Sequence, residues 1–245
     1  MYHRLSLAAA LATSILATPA LAADDLEIVE APEIAQTSGF YIAGRIARAF
    51  RDDTRTTYRN VTPAPLGVET EYSFGPALSV ALGTGLVMGL RAEAEFSYDR
   101  NNTDRMVAST GGIFTNADFV HGNAEFYTLH ATLLKDFDFG FVSPYVGIGA
   151  GVTHARFNGS GLTLPAGAPG PLPGDTFIGI DDHDTGFSYA LHAGLNFQVT
   201  DNATFEIGYR AMNVHNLSFN GSDATRLSFG MTTQHRISVG MRIAF

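Results

Sequence analysis

The sequence predicts an all-β fold, an eight-stranded antiparallel up-and-down barrel. Two observations lead to this fold class. Eight segments alternate apolar residues with polar or small ones, as strands do when their two faces meet different surroundings. The connections between these segments are alternately short and long, as expected when consecutive strands are joined at opposite ends of a barrel. Residues 39–245 are therefore predicted to form one barrel domain.

Composition limits the classes of function. The chain has 245 residues, of which 45% are hydrophobic and 16% charged, and its formal net charge is −9. A single all-β domain can occupy this length. The negative charge argues against a nucleic-acid partner bound through a basic surface. Because the chain has no cysteine, disulfide scaffolds, thiol catalysis and cysteine metal sites are excluded, and we expect no cofactor.

The N-terminal residues predict a targeting segment. Arg4 precedes an apolar stretch from Leu5 to Leu16, and the segment ends in Ala20-Leu21-Ala22. A positive start, a short apolar middle and this ending are typical of a secretory signal peptide, predicted at 1–22. A short buried helix is the alternative interpretation. The acidic stretch 23–38 is predicted to be a flexible periplasmic tether.

The alternating segments have the length of wall strands. In the clearest one, apolar or small residues from Leu90 to Tyr98 alternate with polar residues from Arg91 to Asp99. The segments lie at 40–47, 77–83, 90–99, 126–133, 146–153, 187–198, 205–212 and 236–245. Short connections are predicted at 87–89, 138–143 and 200–202, and long polar ones at 51–71, 101–121, 155–185 and 214–234.

The polar face of the segments is predicted to line the barrel interior. It combines charged residues with many Gly, Ala and Ser residues, which suits the narrow interior of an eight-stranded barrel. The apolar face then meets lipid, and tilted strands of this length can cross a membrane. A soluble barrel with an apolar interior is the alternative. With an even number of strands, we expect both ends of the mature chain in the periplasm and four long loops outside the cell.

Aromatic residues near the segment ends predict two girdles at the membrane interfaces. The outer girdle consists of Tyr72, Phe74, Tyr98, Tyr127 and Tyr189, and the inner girdle of Phe40, Phe137, Phe197, Phe205 and Phe245.

Three sequence phrases carry a resemblance to a known family. They are Ser143-Pro-Tyr-Val-Gly-Ile-Gly-Ala-Gly-Val152, Thr200-Asp-Asn-Ala-Thr-Phe-Glu-Ile-Gly-Tyr-Arg210 and Arg242-Ile-Ala-Phe245. Residues 39–245 resemble the OmpA/OmpX-type, or opacity-like, eight-stranded outer-membrane barrels. The resemblance implies an integral protein of the bacterial outer membrane whose terminal Phe245 is recognised by the outer-membrane assembly machinery. Members of this family serve as adhesins, surface shields, small pores and membrane anchors.

Charged residues at the alternate strand positions that face the interior predict a lumen charge network. Because isolated charges in a narrow lumen are costly, ion pairing is expected. The network consists of Arg45, Arg91, Glu93, Glu95, His130, His192, Glu206, Arg210, Arg236 and Arg242. It is interpreted as a plug that fixes the packing of the barrel, and a gated path for small ions is the alternative.

Three arginines lie at the alternate strand positions that are predicted to face lipid. Arg48, Arg100 and Arg156 each lie near the predicted outer end of a segment. Since a guanidinium group fits phosphate oxygens, we expect these residues to contact lipopolysaccharide. The alternative is that alternation breaks down at frayed strand ends, which leaves ordinary solvated bases.

Other polar residues carry weaker signals. The stretch Asp181–Asp184 contains potential metal ligands but reads as a solvated acidic loop, because no second cluster at ligand spacing is visible. We expect a non-enzymatic surface protein whose loops meet an extracellular ligand or host surface. A small-solute pore is one alternative. A lipid-modifying enzyme is another, with outward His154 and His215 as its candidate residues, although neither belongs to a recognisable catalytic motif.

Overall fold

The computed structural model describes residues 39–52, 54–59, 66–110, 113–116, 118–120, 122–164, 176–220 and 226–245. The predicted signal peptide and tether, 1–38, lie outside these residues. The strands are β1 (Phe40–Arg51), β2 (Thr54–Arg59), β3 (Leu66–Tyr72), β4 (Gly75–Gly85), β5 (Leu90–Thr110), β6 (Ile113–Asn116), β7 (Asp118–Val120), β8 (Asn123–Asp136), β9 (Val142–Leu164), β10 (Thr176–Gln198), β11 (Ala203–Asn220) and β12 (Arg226–Ala244).

Eight long strands close into a barrel. Each pairs antiparallel with the next in the order β1, β4, β5, β8, β9, β10, β11 and β12. The last strand returns to the first, from Tyr41 opposite Ala244 to Arg51 opposite Gln234. The predicted eight-stranded up-and-down barrel is confirmed.

The two ends of the barrel differ. At one end, which we call the turn end, the strands are joined by short connections, including the 3₁₀ turn Val87–Gly89. The start of the first strand and the end of the last strand meet there, where the backbone N–H of Phe245 donates to the carbonyl oxygen of Phe40 over 3.0 Å. We call the opposite end, where the strands continue as long hairpins, the hairpin end. Among the described residues, no helix is long and apolar enough to cross a membrane.

The connections predicted to be long loops are largely strand in the described residues. β9 and β10 pair as far as Leu164 opposite Thr176, and β11 and β12 pair as far as Asn220 opposite Arg226. At this end β2 also pairs with β12, and β3 with β5, so these two strands continue the wall beyond β1 and β4. The predicted loop boundaries were wrong because backbone pairing continues where a one-sided apolar pattern no longer marks the strand.

The wall has an apolar outer face. In β4, buried and exposed positions alternate from Gly75 to Gly83. Exposed large apolar residues of the wall include Ile42, Ile46, Leu78, Val80, Leu82, Phe96, Leu129, Leu133, Val146, Ile148, Val152, Leu191, Ile207, Ile237 and Val239. An exposed apolar belt that follows the whole wall is typical of a lipid-facing surface. The soluble-barrel alternative is wrong, since it requires this face inside.

Aromatic residues lie on the outer face toward both ends. At the turn end, Phe197 contacts Phe205 and Phe141, with ring centroids 6.2 and 6.1 Å apart. Phe139 and Phe141 are exposed members of this group that the sequence prediction omitted. Toward the hairpin end, Tyr98 and Tyr127 lie 5.1 Å apart. The side chain of Tyr72 lies outside the described residues.

Candidate functional site

Glu95 is the centre of a buried ion-pair cluster. This residue of β5 is 4% exposed and accepts hydrogen bonds from three arginines on three other strands. The donors are Arg45 at 2.9 Å, Arg210 at 2.8 Å and Arg236 at 2.8 Å. One carboxylate thus links β5 to β1, β11 and β12 across the lumen.

Glu93 and Glu206 form a second centre nearer the turn end. Arg45 reaches Glu93 at 3.0 Å and Glu206 at 2.9 Å, so its guanidinium group contacts all three glutamates. Arg91 contacts the same two carboxylates at 2.7 and 3.3 Å. Arg242 lies 3.2 Å from Glu206. The structure therefore brings together the five arginines and three glutamates of the predicted lumen network.

Two further carboxylates belong to this network. Asp136 lies 2.9 Å from Arg91. Asp99 is fully buried and lies 3.8 Å from Arg210 and 3.6 Å from Arg236. Both residues have the inward parity of their strands, so alternation could have found them. With them, five arginines face five carboxylates, and the network carries no net formal charge.

The two predicted lumen histidines border the ion-pair cluster, with His130 opposite Glu95 and His192 opposite Arg210 in the strand register. His130 Nε2 lies 2.7 Å from Ser188 Oγ. The Ser188 hydroxyl lies 2.9 Å from that of Thr153, which in turn lies 3.0 Å from Thr128 Oγ1. A methyl group on Gly149 would come 3.2 Å from His192 Nε2. A chain of hydrogen bonds among His130, Ser188, Thr153 and Thr128 thus lies beside the ion pairs.

Apolar side chains fill the interior toward the hairpin end. Phe126, Phe157, Phe219, Met212, Val214 and Leu217 are all buried. The rings of Phe157 and Phe219 lie 4.7 Å apart, and the Arg51 guanidinium carbon lies 3.3 Å from the Phe126 centroid. Within the described residues, the interior therefore has an ionic layer, which the imidazole and hydroxyl groups border, and an apolar layer toward the hairpin end. The sequence prediction did not include the apolar layer, because only polar inward residues were taken as site candidates.

The three lipid-facing arginines are exposed, and two of them, Arg100 and Arg156, lie on one row of paired residues. Arg100 pairs with Glu125, and Glu125 with Arg156. Arg48 pairs with Pro76 of β4. The next residue of β4, Ala77, pairs with Asp99, which precedes Arg100. The arginines thus occupy alternate strands β1, β5 and β9. Phe245, the predicted assembly signal, is 75% exposed at the turn end.

The acidic stretch Asp181–Asp184 contributes to the pairing of two strands. The backbone ladder between β10 and β11 ends at Ser188 opposite Val214. Beyond it, Asp184 accepts the backbone N–H of Ser218 over 2.7 Å, and Asp182 accepts that of Asn220 over 2.7 Å. Two carboxylates therefore continue the β10–β11 seam by side-chain hydrogen bonds. Among the described residues, no group of three His, Asp or Glu side chains could hold a metal ion.

This seam is expected to depend on pH. The backbone N–H of Asn220 stabilises the charged form and lowers the pKa of Asp182 below its ordinary value. Because the pKa of Asp182 is lowered in the folded protein, its hydrogen bond to Asn220 stabilises the seam above about pH 4. This stabilisation is lost as the pH falls through the folded pKa. We expect Asp182→Ala to raise the hydrogen-exchange rate of the Asn220 amide about tenfold at neutral pH.

Exchange measured by NMR checks this prediction, and Asp181→Ala is the matched control because Asp181 is exposed and adjacent. Equal exchange rates at Asn220 in the wild type and Asp182→Ala would contradict the role given to the carboxylate.

The outward histidines are also engaged. His154 Nδ1 lies 2.9 Å from the Thr185 hydroxyl, and His215 stacks on Tyr189 with centroids 5.3 Å apart. Neither pairs with a serine. The one His–Ser contact described above, His130 with Ser188, is buried in the lumen.

Comparison with known proteins agrees with this architecture. No curated protein matches the chain. Among solved structures, the outer membrane protein OprG from Pseudomonas aeruginosa is similar with a TM-score of 0.50 and 13% identity, over 86% of this chain and 98% of that chain. Neisserial surface protein A has a TM-score of 0.43 and 20% identity, with 85% and 98% covered. The outer membrane protease OmpT from Escherichia coli has a TM-score of 0.48 and 9% identity, with 84% and 97% covered.

The likeness to OprG, at 13% identity, shows the fold alone. The model of the outer membrane protein beta-barrel domain family matches residues 8–242. The chain therefore belongs to the outer membrane β-barrel family and is an integral protein of the bacterial outer membrane.

Proposed function

We propose that this protein is a non-conducting, non-enzymatic barrel that holds long β hairpins at the cell surface, where they meet an extracellular ligand or host surface. The observation that carries this proposal is the filled interior. A barrel whose lumen is packed with side chains is a rigid support, and recognition is then left to the segments that extend beyond the membrane.

The ionic layer argues against a resting ion path. Arg45 contacts Glu93, Glu95 and Glu206 together, and its side chain is 10% exposed. A hydrated ion could pass only if these contacts separated. Separation leaves buried charges without partners, which costs several kcal/mol for each ion.

The apolar layer adds a second barrier. Phe126 and Phe219 are at most 1% exposed, and the Arg51 guanidinium group covers the Phe126 ring. These rings fill the interior at this level, and the side chains of Arg51, Asn101 and Gln234 are buried among them. Conduction would therefore require the ionic and apolar layers to open at the same time.

The orientation follows from the family layout. Outer-membrane barrels have short turns on the periplasmic side and longer connections outside. Under this proposal the turn end, with Phe40 and Phe245, faces the periplasm. The hairpins β9–β10 and β11–β12 then project from the outer surface.

Single-channel recording tests the closed lumen. We expect the refolded protein to give no discrete openings in planar bilayers at neutral pH, because both interior layers are packed. Insertion is verified by the gel mobility of the recovered protein before and after boiling.

A variant that lacks residues 165–175 is the matched control. In the sequence, these residues connect the described ends of β9 and β10. This variant should also be silent. Discrete openings in the wild type would overturn the proposal, and openings in the shortened variant alone would show that the connection, and not the lumen, blocks conduction.

A further inference from the structure

We propose that Arg100 and Arg156, on the outer face of β5 and β9, form a binding site for a phosphate group of lipopolysaccharide. This site rests on the proposed orientation, which places the hairpin end at the outer leaflet. It does not depend on whether the lumen is closed.

The arginines lie in the third of three consecutive rows. The first row pairs Phe96 of β5, Leu129 of β8, Val152 of β9 and Phe187 of β10. These four side chains are between 49% and 57% exposed and belong to the apolar belt. A row with this composition suits the acyl chains of a lipid.

The second row is aromatic and polar. It pairs Tyr98, Tyr127, His154 and Thr185 on the same four strands. Tyr98 and Tyr127 have ring centroids 5.1 Å apart, and Tyr127 and His154 have centroids 6.4 Å apart. Tyrosine has an apolar ring with a polar tip, so it is favoured at the level where acyl chains meet headgroups.

The third row pairs Arg100, Glu125, Arg156 and His183. Since neighbouring strands lie about 4.8 Å apart, the backbones of the two arginines are about 10 Å apart with Glu125 between them. Long arginine side chains can span half this separation, so both guanidinium groups can reach one phosphate. The order of the rows, apolar, aromatic and then cationic, matches the order of chains, interface and phosphate in a lipid leaflet.

In the part of the barrel that the structure describes, Glu125 forms no ion pair with Arg100 or Arg156. Its carboxylate accepts hydrogen bonds from the phenols of Tyr98 at 3.2 Å and Tyr127 at 3.4 Å. Within the described residues, neither Arg100 nor Arg156 forms an ion pair, whereas each lumen arginine of the network does. The two exposed guanidinium groups thus keep their donors for a ligand, and a guanidinium fork binds phosphate oxygens in a bidentate manner.

Arg48 lies two strands from Arg100 in the other direction, beyond Pro76 of β4. The paired register of β4 and β5 ends at Ala77 opposite Asp99, whereas Arg100 and Arg156 are both paired with Glu125. We therefore centre the site on the adjacent pair Arg100 and Arg156, and treat Arg48 as a separate contact.

The site is tested by titrating the refolded full-length protein, in a neutral detergent, with purified lipopolysaccharide and measuring binding by microscale thermophoresis. The double variant Arg100→Gln, Arg156→Gln is expected to bind about tenfold more weakly or worse, because it loses charge-assisted hydrogen bonds. Lys135→Gln is the matched control, since it removes a cation of the same face at the turn end. It should keep wild-type affinity.

Two further arms identify the ligand. Lipopolysaccharide whose phosphates have been removed enzymatically should lose affinity to the same extent as the double variant does. Inorganic phosphate at millimolar concentration should not displace intact lipopolysaccharide, because it lacks the acyl chains that meet the first row.

Unchanged affinity of the double variant, unchanged binding of the dephosphorylated lipid, or full displacement by inorganic phosphate would each overturn the site. Failure of this site is distinguishable from failure of the proposed function. If the barrel is silent but does not bind lipopolysaccharide, only the proposed site is wrong. If the barrel conducts but binds lipopolysaccharide, only the proposed closed lumen is wrong.

Discussion

Replacing Glu95 by Gln is expected to lower the free energy of unfolding by about 3–5 kcal/mol. Three buried guanidinium groups, those of Arg45, Arg210 and Arg236, donate to this one carboxylate. An amide keeps the shape of the side chain but removes its charge, so the five arginines of the network then face four carboxylates in a buried layer.

The measurement is equilibrium unfolding in urea with the protein in lipid vesicles. Since the chain has no tryptophan, the transition is followed by far-ultraviolet circular dichroism and by gel mobility without boiling. Glu125→Gln is the matched control because this glutamate lies on the outer face. Its effect should stay below about 1 kcal/mol. If both substitutions had the same effect, the lumen network would not be a main source of stability.

Gly151→Ala is expected to destabilise the barrel by about 1–3 kcal/mol. Gly151 lies in β9 opposite His130 of β8. A methyl group on Gly151 would collide with the carbonyl oxygen of Leu129 and would come 2.8 Å from the His130 ring. The first of these neighbours is backbone, so two paired strands must move apart before alanine fits.

Gly44→Ala provides the control for this substitution. Gly44 is exposed on β1, and a methyl group there would meet nothing within 4 Å. Alanine at this position should leave the urea midpoint unchanged or raise it slightly, because it reduces the freedom of the unfolded chain. Equal destabilisation by the two alanines would indicate a general cost of losing glycine from a strand, and would contradict the close approach at Gly151.

Strand identity was readable from the sequence, whereas strand length was not. The segment 90–99 alternates in polarity because one face meets lipid and the other meets packed charges, and it forms the first half of β5. The same strand continues to Thr110, where alternation no longer marks it. Pairing there depends on β3 and β6, which lie elsewhere in the chain.

The content of the candidate site was only partly readable. Parity identified Glu93 and Glu95 as inward residues, and the same rule applies to Asp99 and Asp136, which were not included in the prediction. Alternation also assigns Phe126 and Met212 to the inward face, although a polar lumen was expected. An alternation pattern assigns a side chain to a face, but it does not show which layer of the interior that side chain enters.

The sequence by itself determined the fold class, the face that meets lipid and the inward position of the ionic residues. These properties follow from local alternation, because each strand must satisfy two different surroundings. Only the tertiary structure decided that Glu95 serves three arginines, that Asp182 continues a strand seam and that Arg100 and Arg156 flank Glu125. Such contacts join residues as distant as Arg45 and Glu206, which are 161 positions apart. They depend on the register with which each strand meets its neighbours, and register is a property of the closed barrel.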